Sequence, residues 1–381
     1  MNELNKNSFD REINHLIGVC NGKAPSLFHL RLLLTNRCNL KCPFCVSHNR
    51  EIDYSKEVSD EKYLLCIKDA INLGLKHLKI IGGGEALLRK NLLLKIIKIK
   101  KKNPQVFCDI HTNGTLFSDD LIKNFVDSKW GKIAISIEGP NAKTNDPLRG
   151  KGTFDKIITT LERFNHWKKL YKTNWPELNF GTVLTSKNYN KIDKLLELAH
   201  KNGVTNLHLQ SLFLATDFCQ NLKLSNLQID KFQEKLPYLI KMANELKIRN
   251  NFDNFSVKNI RYSERTPGKI IEEDLNNDRN TIKKKIKVDL LKSFCLDFWN
   301  YLMISPAGDI QFCLKKFEYG FNIKKDRLHN VWHGTKLKNI RKKFLEGNRF
   351  RECDICCPGK IFENLDQKKA MYKKMLGTSK K

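Results

Sequence analysis

Between residues 29 and 212 the chain alternates two hydrophobic periods. Short apolar, β-prone runs stand at HLRLLLT (29–35), HLKIIGG (77–83), VFCDIHT (106–112), KIAISIE (132–138), LNFGTVLT (178–185) and NLHLQSL (206–212). Longer stretches near 58–73, 89–102, 118–128, 153–171 and 188–202 carry apolar residues at helical spacing. Asp60, Ser118 and Asn188 sit where helix N-caps are expected. Six strands alternating with five helices predict an α/β fold with parallel strands and right-handed crossovers. Both a partial (β/α)6 barrel and an open doubly wound sheet fit, and either puts the chemistry at the C-terminal ends of the strands.

The pattern changes twice after that. Residues 213–290 are charged and helix-prone, without strand alternation. In 291–366 the segment YLMISPAGDIQFC reads as two short strands around a Pro306–Asp309 turn. The expected organisation is therefore an N-terminal extension (1–28), a strand–helix domain (29–212), a charged helical connector (213–290), a hairpin-and-helix domain (291–366) and a basic tail (367–381).

Composition narrows the class. The 381 residues are 40% hydrophobic and 29% charged, as in a globular protein. No apolar run approaches the roughly 20 residues of a membrane helix. The opening MNELNKNSFDREINHLIG has no signal-peptide apolar region, so a cytoplasmic location is expected. The net charge is +28, but the lysines are dispersed, with concentrations only at KIIKIKKK, TIKKKIK and the C-terminal tail. That distribution favours a solvated surface over a nucleic-acid face.

The twelve cysteines are not evenly spread. Cys38, Cys42 and Cys45 lie on one loop, and Cys295, Cys313, Cys353, Cys356 and Cys357 lie in the last quarter. Cys20, Cys66, Cys108 and Cys219 are scattered and read as small buried hydrophobes. Clustered thiols in a reducing compartment point to metal. Three thiolates can take three corners of an iron–sulfur cubane and leave one iron open to a ligand. Zinc completed by His48 is the structural alternative.

The spacing Cys38-x3-Cys42-x2-Cys45, with Phe44 before the last cysteine, resembles the radical S-adenosylmethionine (SAM) superfamily. The other landmarks follow in order, each at a strand end: Gly83-Gly84-Glu85, Thr112-Asn113-Gly114, Ser136-Ile137-Glu138, then Arg149-Gly150 and Asn188. Ala86 stands where the family usually has proline. The resemblance implies that the glycine loop and Glu85 meet the methionine ammonium, and that Arg149 forks onto its carboxylate. It also places Ser136 and Glu138 near hydroxyls, Asn113 in the turn beside them, and Phe44 beside the adenine and the cluster.

The spacing Cys295-x12-Gly308-x4-Cys313, followed by Cys353-x2-Cys356-Cys357, resembles the SPASM and twitch domains of the same superfamily. The cysteine count matches the smaller twitch type, which implies one auxiliary 4Fe–4S cluster. Its implied ligands are Cys295, Cys313, Cys353 and Cys356, with Cys357 the alternative for the last place. One zinc on the same thiolates is the structural alternative.

The implied activity is reductive cleavage of SAM, giving a 5′-deoxyadenosyl radical that takes a substrate hydrogen. A reductant such as flavodoxin or ferredoxin would supply the electron. Only 28 residues precede the first strand, and Leu314 stands where sulfatase-maturing relatives place an acid. Both features tilt the expectation to a small-molecule or sugar-type substrate, oxidised or epimerised. A peptide substrate is the runner-up. From another class, the chain could be a basic nucleic-acid-binding protein with structural metal sites, but such a protein has no use for Glu85, Arg149 and a three-cysteine loop.

Overall fold

The structure is a computed structural model that describes residues 25–45, 47, 53–214, 217–255, 263–264, 297–313 and 319–345. Its strands are β1 (His29–Leu32), β2 (His77–Ile80), β3 (Phe107–Thr112), β4 (Lys132–Ser136), β5 (Glu177–Leu184), β6 (Val204–Ser211), β7 (Phe213–Leu214), β8 (Arg249–Asn250), β9 (Ser263–Glu264), β10 (Tyr301–Ile304) and β11 (Ile310–Gln311). The first six match the expected strands, and helices Asp60–Asn72, Lys90–Lys102, Asp119–Asp127, Thr153–Leu170 and Ile192–Lys201 match the expected helices.

Compactness divides the backbone into two units. One comprises Met1–Leu32, Val58–His77 and Ile271–Lys381, the other Leu33–Glu57 and Leu78–Ile270. The division departs from the boundaries expected from the sequence. β1 and helix Asp60–Asn72 belong with the C-terminal region, because β10 pairs with β1 and Arg327 ties down the helix through Asp69, with Nε at 3.0 Å and Nη2 at 2.7 Å.

In the larger unit the strand order is β2-β3-β4-β5-β6-β8. The pairs from β3 to β8 are parallel. Side chains alternate across a strand. One side carries Leu78, Ile80, Cys108, Ile110, Ile133, Ile135, Leu178 and Phe180, all buried. The helices bring matching stripes: Leu92, Leu93, Ile96 and Ile97 from one, Leu121, Ile122 and Phe125 from the next, then Leu161 and Phe164. Burying one such side chain contributes roughly 1.5–3 kcal/mol. The other side of the strands is polar, and Lys79, Asp109, Lys132, Ser136, Asn179 and His208 stand on it.

The helix Ala142–Arg149 was not anticipated, because AKTNDPLR is polar and carries Pro147. Its ends form it: Asn141 Oδ1 accepts from Thr144 N at 3.0 Å, and Gly150 at φ +116° closes it. The connector is helical, as expected, over Asn226–Glu245, with a Ser225/Gln228 capping box. The two-residue strands β7, β8 and β9 were not expected; they are too short to leave alternation in the sequence.

In the smaller unit the order is β11-β10-β1, with β10 parallel to β1 and antiparallel to β11. The turn between β10 and β11 is the one read from the sequence. Gly308 has φ +94°, and a Cβ there would meet Asn322 Oδ1 at 2.6 Å and Val58 Cγ2 at 2.7 Å. Only glycine fits that turn.

Candidate active site

The loop after Leu32 carries the three clustered cysteines, and its neighbours brace it. Thr35 Oγ1 and Asn36 N both donate to Glu57 Oε1 at 2.8 Å. Gly84 N donates to Thr35 O at 2.7 Å, and Glu85 N donates to Arg37 O at 2.8 Å. A Cβ on Gly84 would stand 1.8 Å from Arg37 O. Glycine is thus required because two loops touch there, independently of any ligand. Asn113 Nδ2 donates to Asn39 Oδ1 at 2.9 Å, and Asn39 Nδ2 donates to Thr115 Oγ1 at 3.0 Å. The strand ends after β2 and β3 therefore hold the cysteine loop by backbone and amide contacts.

Arg149 reaches the same loop from the far end of the unanticipated helix. Its Nη1 lies 3.8 Å from Cys42 Sγ, and its guanidinium carbon lies 5.2 Å from the centre of the Phe44 ring. Nε donates to Glu138 Oε1 at 3.0 Å and Nη2 donates to the same oxygen. Glu138 Oε2 accepts from Val183 N at 2.8 Å. Glu138 is fully buried with both oxygens engaged, so within this arrangement it orients Arg149. Burial pushes the Glu138 carboxyl upward and the guanidinium opposes it. Arg149 itself is desolvated, yet Glu138 and Cys42 hold it charged.

Asn188 is tied into the same mesh. Its Nδ2 donates to Glu138 O at 3.0 Å and to Val183 O at 2.9 Å. Its Oδ1 accepts from Thr185 N at 2.8 Å. It makes no side-chain cap bond, so the expected capping role gives way to a buried brace. Asp60 likewise is the first helical residue, and Ser59 is the N-cap; Ser118 caps as expected.

Glu85 is also buried. Oε1 accepts from Thr112 Oγ1 at 2.7 Å and Leu87 N at 3.0 Å, and Oε2 accepts from Asn113 N at 2.7 Å. Burial raises its pKa against these donors. Glu85 thus joins the glycine loop to the Asn113 turn. Ser136 ends β4 in register with Gly181, on the polar side of the sheet.

The thiols converge electrostatically. Burial raises Cys38 and Cys42; Leu40 N lowers the first, and Arg149 lowers the second. Among the described residues no three His, Cys, Asp or Glu side chains gather closely enough for a single ion. Three thiols with a guanidinium beside them instead suit a cubane, which takes each thiolate on a different iron. Cys313 follows β11 and is half-buried. Cys295, Cys353, Cys356, Cys357, His48 and Leu314 lie outside the described residues. Cys66, Cys108 and Cys219 are buried, as expected of small hydrophobes, and Cys20 lies outside the described residues.

The sequence reading missed the polar side of the sheet. Lys79 and Lys132 both pair with Asp109 Oδ2, at 3.9 and 3.3 Å. The signal was present as a polar residue at every second position within otherwise apolar runs. It also missed Glu57, Asn39 and Thr115, which carry no motif of their own.

Comparison with known proteins gives the domains. The model of the radical SAM superfamily matches residues 32–199, and that of an iron–sulfur cluster-binding (SPASM) domain matches 295–358. The chain carries a radical SAM domain followed by a SPASM domain. The GTP 3′,8-cyclase of Clostridium perfringens (strain SM101) is 24% identical over 319 residues, 83% of this chain and 88% of that protein. The mycofactocin maturase MftC of Mycolicibacterium smegmatis is 27% identical over 172 residues, 45% of this chain and 41% of that one. Among solved structures, Streptococcus suis SuiB bound to S-adenosylmethionine aligns with TM-score 0.58 and 18% identity, covering 86% of this chain and 71% of that one. Native anSMEcpe with bound AdoMet aligns with TM-score 0.56 and 18% identity, covering 92% and 96%.

The radical SAM and SPASM domains imply two 4Fe–4S clusters, one that binds SAM and one auxiliary. When bound, the first cluster supplies the electron that cleaves SAM. The chain's own residues supply the frame. Glu57, Gly84 and Asn113 fix the cysteine loop, and Glu138 fixes the arginine against it. No helix of the described residues is long and apolar enough to cross a membrane.

Proposed function

We propose that this radical SAM enzyme takes a hydrogen from a C–H bond of a polar, sugar-type small molecule, oxidising or epimerising it. Cys38, Cys42 and Cys45 hold the SAM-binding cluster. The Gly83-Gly84-Glu85 loop, Asn113 and Ser136 line the cofactor, with Phe44 beside the adenine. Arg149, oriented by Glu138, takes the methionine carboxylate through Nη1. A low-potential donor of flavodoxin or ferredoxin type supplies the electron. The observation that carries the substrate class is the polar side of the larger unit's sheet. Two lysines share one carboxylate there, and Asn179 and His208 stand on the same side of the sheet. Such a surface suits hydroxyl-rich and anionic groups. The similarity to a GTP 3′,8-cyclase over 83% of this chain supports a small-molecule substrate.

A peptide substrate is the second reading. It draws on the likeness to SuiB, one of whose structures holds the precursor peptide SuiA. The test uses anaerobically reconstituted protein with dithionite and SAM, and it measures 5′-deoxyadenosine. Nucleoside triphosphates and hexose phosphates are offered in one series, and synthetic peptides in the other. Stimulation by the first series, with deuterium moving from substrate carbon into deoxyadenosine, is the expected result. Stimulation by peptides alone would overturn the sugar-type reading.

A further inference from the structure

Within the larger unit, β5 carries no side chain at Gly181, in the middle of the strand. Side chains alternate along a strand, so Gly181 faces the same polar side as Asn179. In register it stands between Ser136 of β4 and His208 of β6. Glycine inside a strand weakens it, and it is kept where a special backbone angle, a close backbone or a ligand requires it. The backbone angle does not require it, since Gly181 is not among the residues at positive φ. Crowding does not require it either. Beyond its own chain neighbours, a Cβ on Gly181 would find one atom within 4 Å, Ile135 O at 4.0 Å. Gly84 is the contrast, with Arg37 O only 1.8 Å from its Cβ. What remains at Gly181 is room for a ligand.

The groups around that room say which ligand. Asn179 and Asn206 are register partners, two residues nearer the strand starts. The Oδ1 of each is buried with no hydrogen-bond partner among the described residues, and Asn179 as a whole is 7% exposed. A buried acceptor left unpaired costs free energy, so this pair is built to meet donors. Further along the same side, Lys132 Nζ lies 3.3 Å from Asp109 Oδ2, an oxygen it shares with Lys79. The field of these lysines reaches His208, whose pKa is lowered by partial burial and then by Lys132 and Lys79. His208 is exposed, so the polar side is open to an incoming molecule there. Paired acceptors beside a positive field suit a molecule with hydroxyl donors and a negative group.

We infer that the hollow over Gly181 seats the substrate, with its hydroxyls on Asn179 and Asn206 and its anionic group, a phosphate or a carboxylate, drawn toward Lys132. The inference rests on the sugar-type reading above and narrows it to acidic sugars and their derivatives.

The test uses the full chain, reconstituted anaerobically, with Gly181→Ala, Gly181→Val, Lys132→Met and Lys132→Arg. Glucose 6-phosphate, GTP, glucuronate and glucose are the probes, and calorimetry measures their binding and that of SAM. The phosphate probes and glucuronate distinguish the two anionic groups, and glucose is the neutral control. At least one acidic probe is expected to bind the parent, and more tightly than glucose. Lys132→Met should weaken it roughly ten- to a hundredfold, with Lys132→Arg close to the parent. Gly181→Ala should melt at or above the parent's temperature, since its Cβ has space, yet bind the probe less well, and Gly181→Val should bind it more weakly still. SAM affinity should stay at the parent's value in all four variants. If Lys132→Met fails to fold, the Gly181 variants decide.

An acidic probe held equally well by the parent, Lys132→Met and Gly181→Val would overturn the inference and leave the sugar-type reading standing. So would glucose binding and stimulating deoxyadenosine formation while no acidic probe binds. A parallel loss of SAM affinity would assign the hollow to the cofactor, and a lower melting temperature of Gly181→Ala would assign the glycine to the fold. If peptides alone stimulate the enzyme and no probe binds, the sugar-type reading fails and this inference fails with it.

Discussion

The two cysteine-bearing regions are built on opposite plans. In the larger unit three thiols come from eight consecutive residues. Their loop is pinned by the segments after β2 and β3 and, at Cys42, by the end of helix Ala142–Arg149. In the smaller unit the candidate thiols span residues 295 to 357. Between Cys295 and Cys353 the described residues hold the β10–β11 hairpin, three helices and an aromatic cluster. The first region is a local motif that the fold stiffens. The second has to be assembled by the fold before it can bind anything. Arg149 has a carboxylate partner ready in Glu138, whereas Arg341 in the smaller unit pairs with no carboxylate among the described residues.

The comparison breaks most sharply on the ligands. Replacing Cys38, Cys42 and Cys45 by Ala should abolish deoxyadenosine formation. Iron in anaerobically reconstituted protein should fall from about eight atoms per chain to about four. Retention of all the iron would mean that the loop holds no cluster. Gly84→Ala should act nearly as strongly, since its Cβ would overlap Arg37 O. The cysteine loop should shift, and the first cluster should be lost while the auxiliary one remains. A Gly84→Ala enzyme with full activity would show that the bracing is incidental.

A smaller effect is expected from the Glu138–Arg149 pair. Removing one member of a buried pair costs about 3–5 kcal/mol, because the other is left uncompensated. Glu138→Ala should therefore lower stability by that order and weaken SAM binding through a disoriented Arg149. Glu138→Ala/Arg149→Ala should be less destabilised than the two single changes together. Additive losses in urea unfolding would mean that the two side chains do not act as a unit.

Most of the fold was legible in the sequence because strand and helix periods were strong from 29 to 212 and the turns carried glycine. The thiol loop was legible because its ligands are contiguous. What was not legible depended on contacts between distant residues. Helix Ala142–Arg149 is polar and exists through its caps. Glu85 and Glu138 read as ligand-facing carboxylates, and the sequence did not show that each also accepts hydrogen bonds from its own chain. Arg341 looked like one basic residue among sixty-nine until its burial was known. The unit boundary was hidden because the pairing of β1 with β10 joins residues some 270 positions apart.

The smallest predicted effect uses a thiol that belongs to neither region. Cys108 lies in β3 against the helices, 1% exposed, with burial pushing its pKa from 9.0 up to about 12. The unfolded chain ionises this thiol above pH 9, while the folded chain keeps the proton. The unfolded state therefore gains stability as pH rises from 9 toward 12, and the folded state loses its relative advantage. Each pH unit in that window costs about 1.4 kcal/mol of folding stability for one such group. Below pH 9 nothing is lost. Cys108→Ala should be modestly less stable than the parent at pH 8, by about 1 kcal/mol for the small cavity. The gap should close by about pH 10 and reverse above it. Urea unfolding of anaerobic protein at pH 8 and pH 10 measures both points. A gap that stays constant would mean that Cys108 ionises equally in both states and so reaches solvent or a cation. A closing gap would mark it as the inert, buried kind of cysteine from which the two clustered groups are to be distinguished.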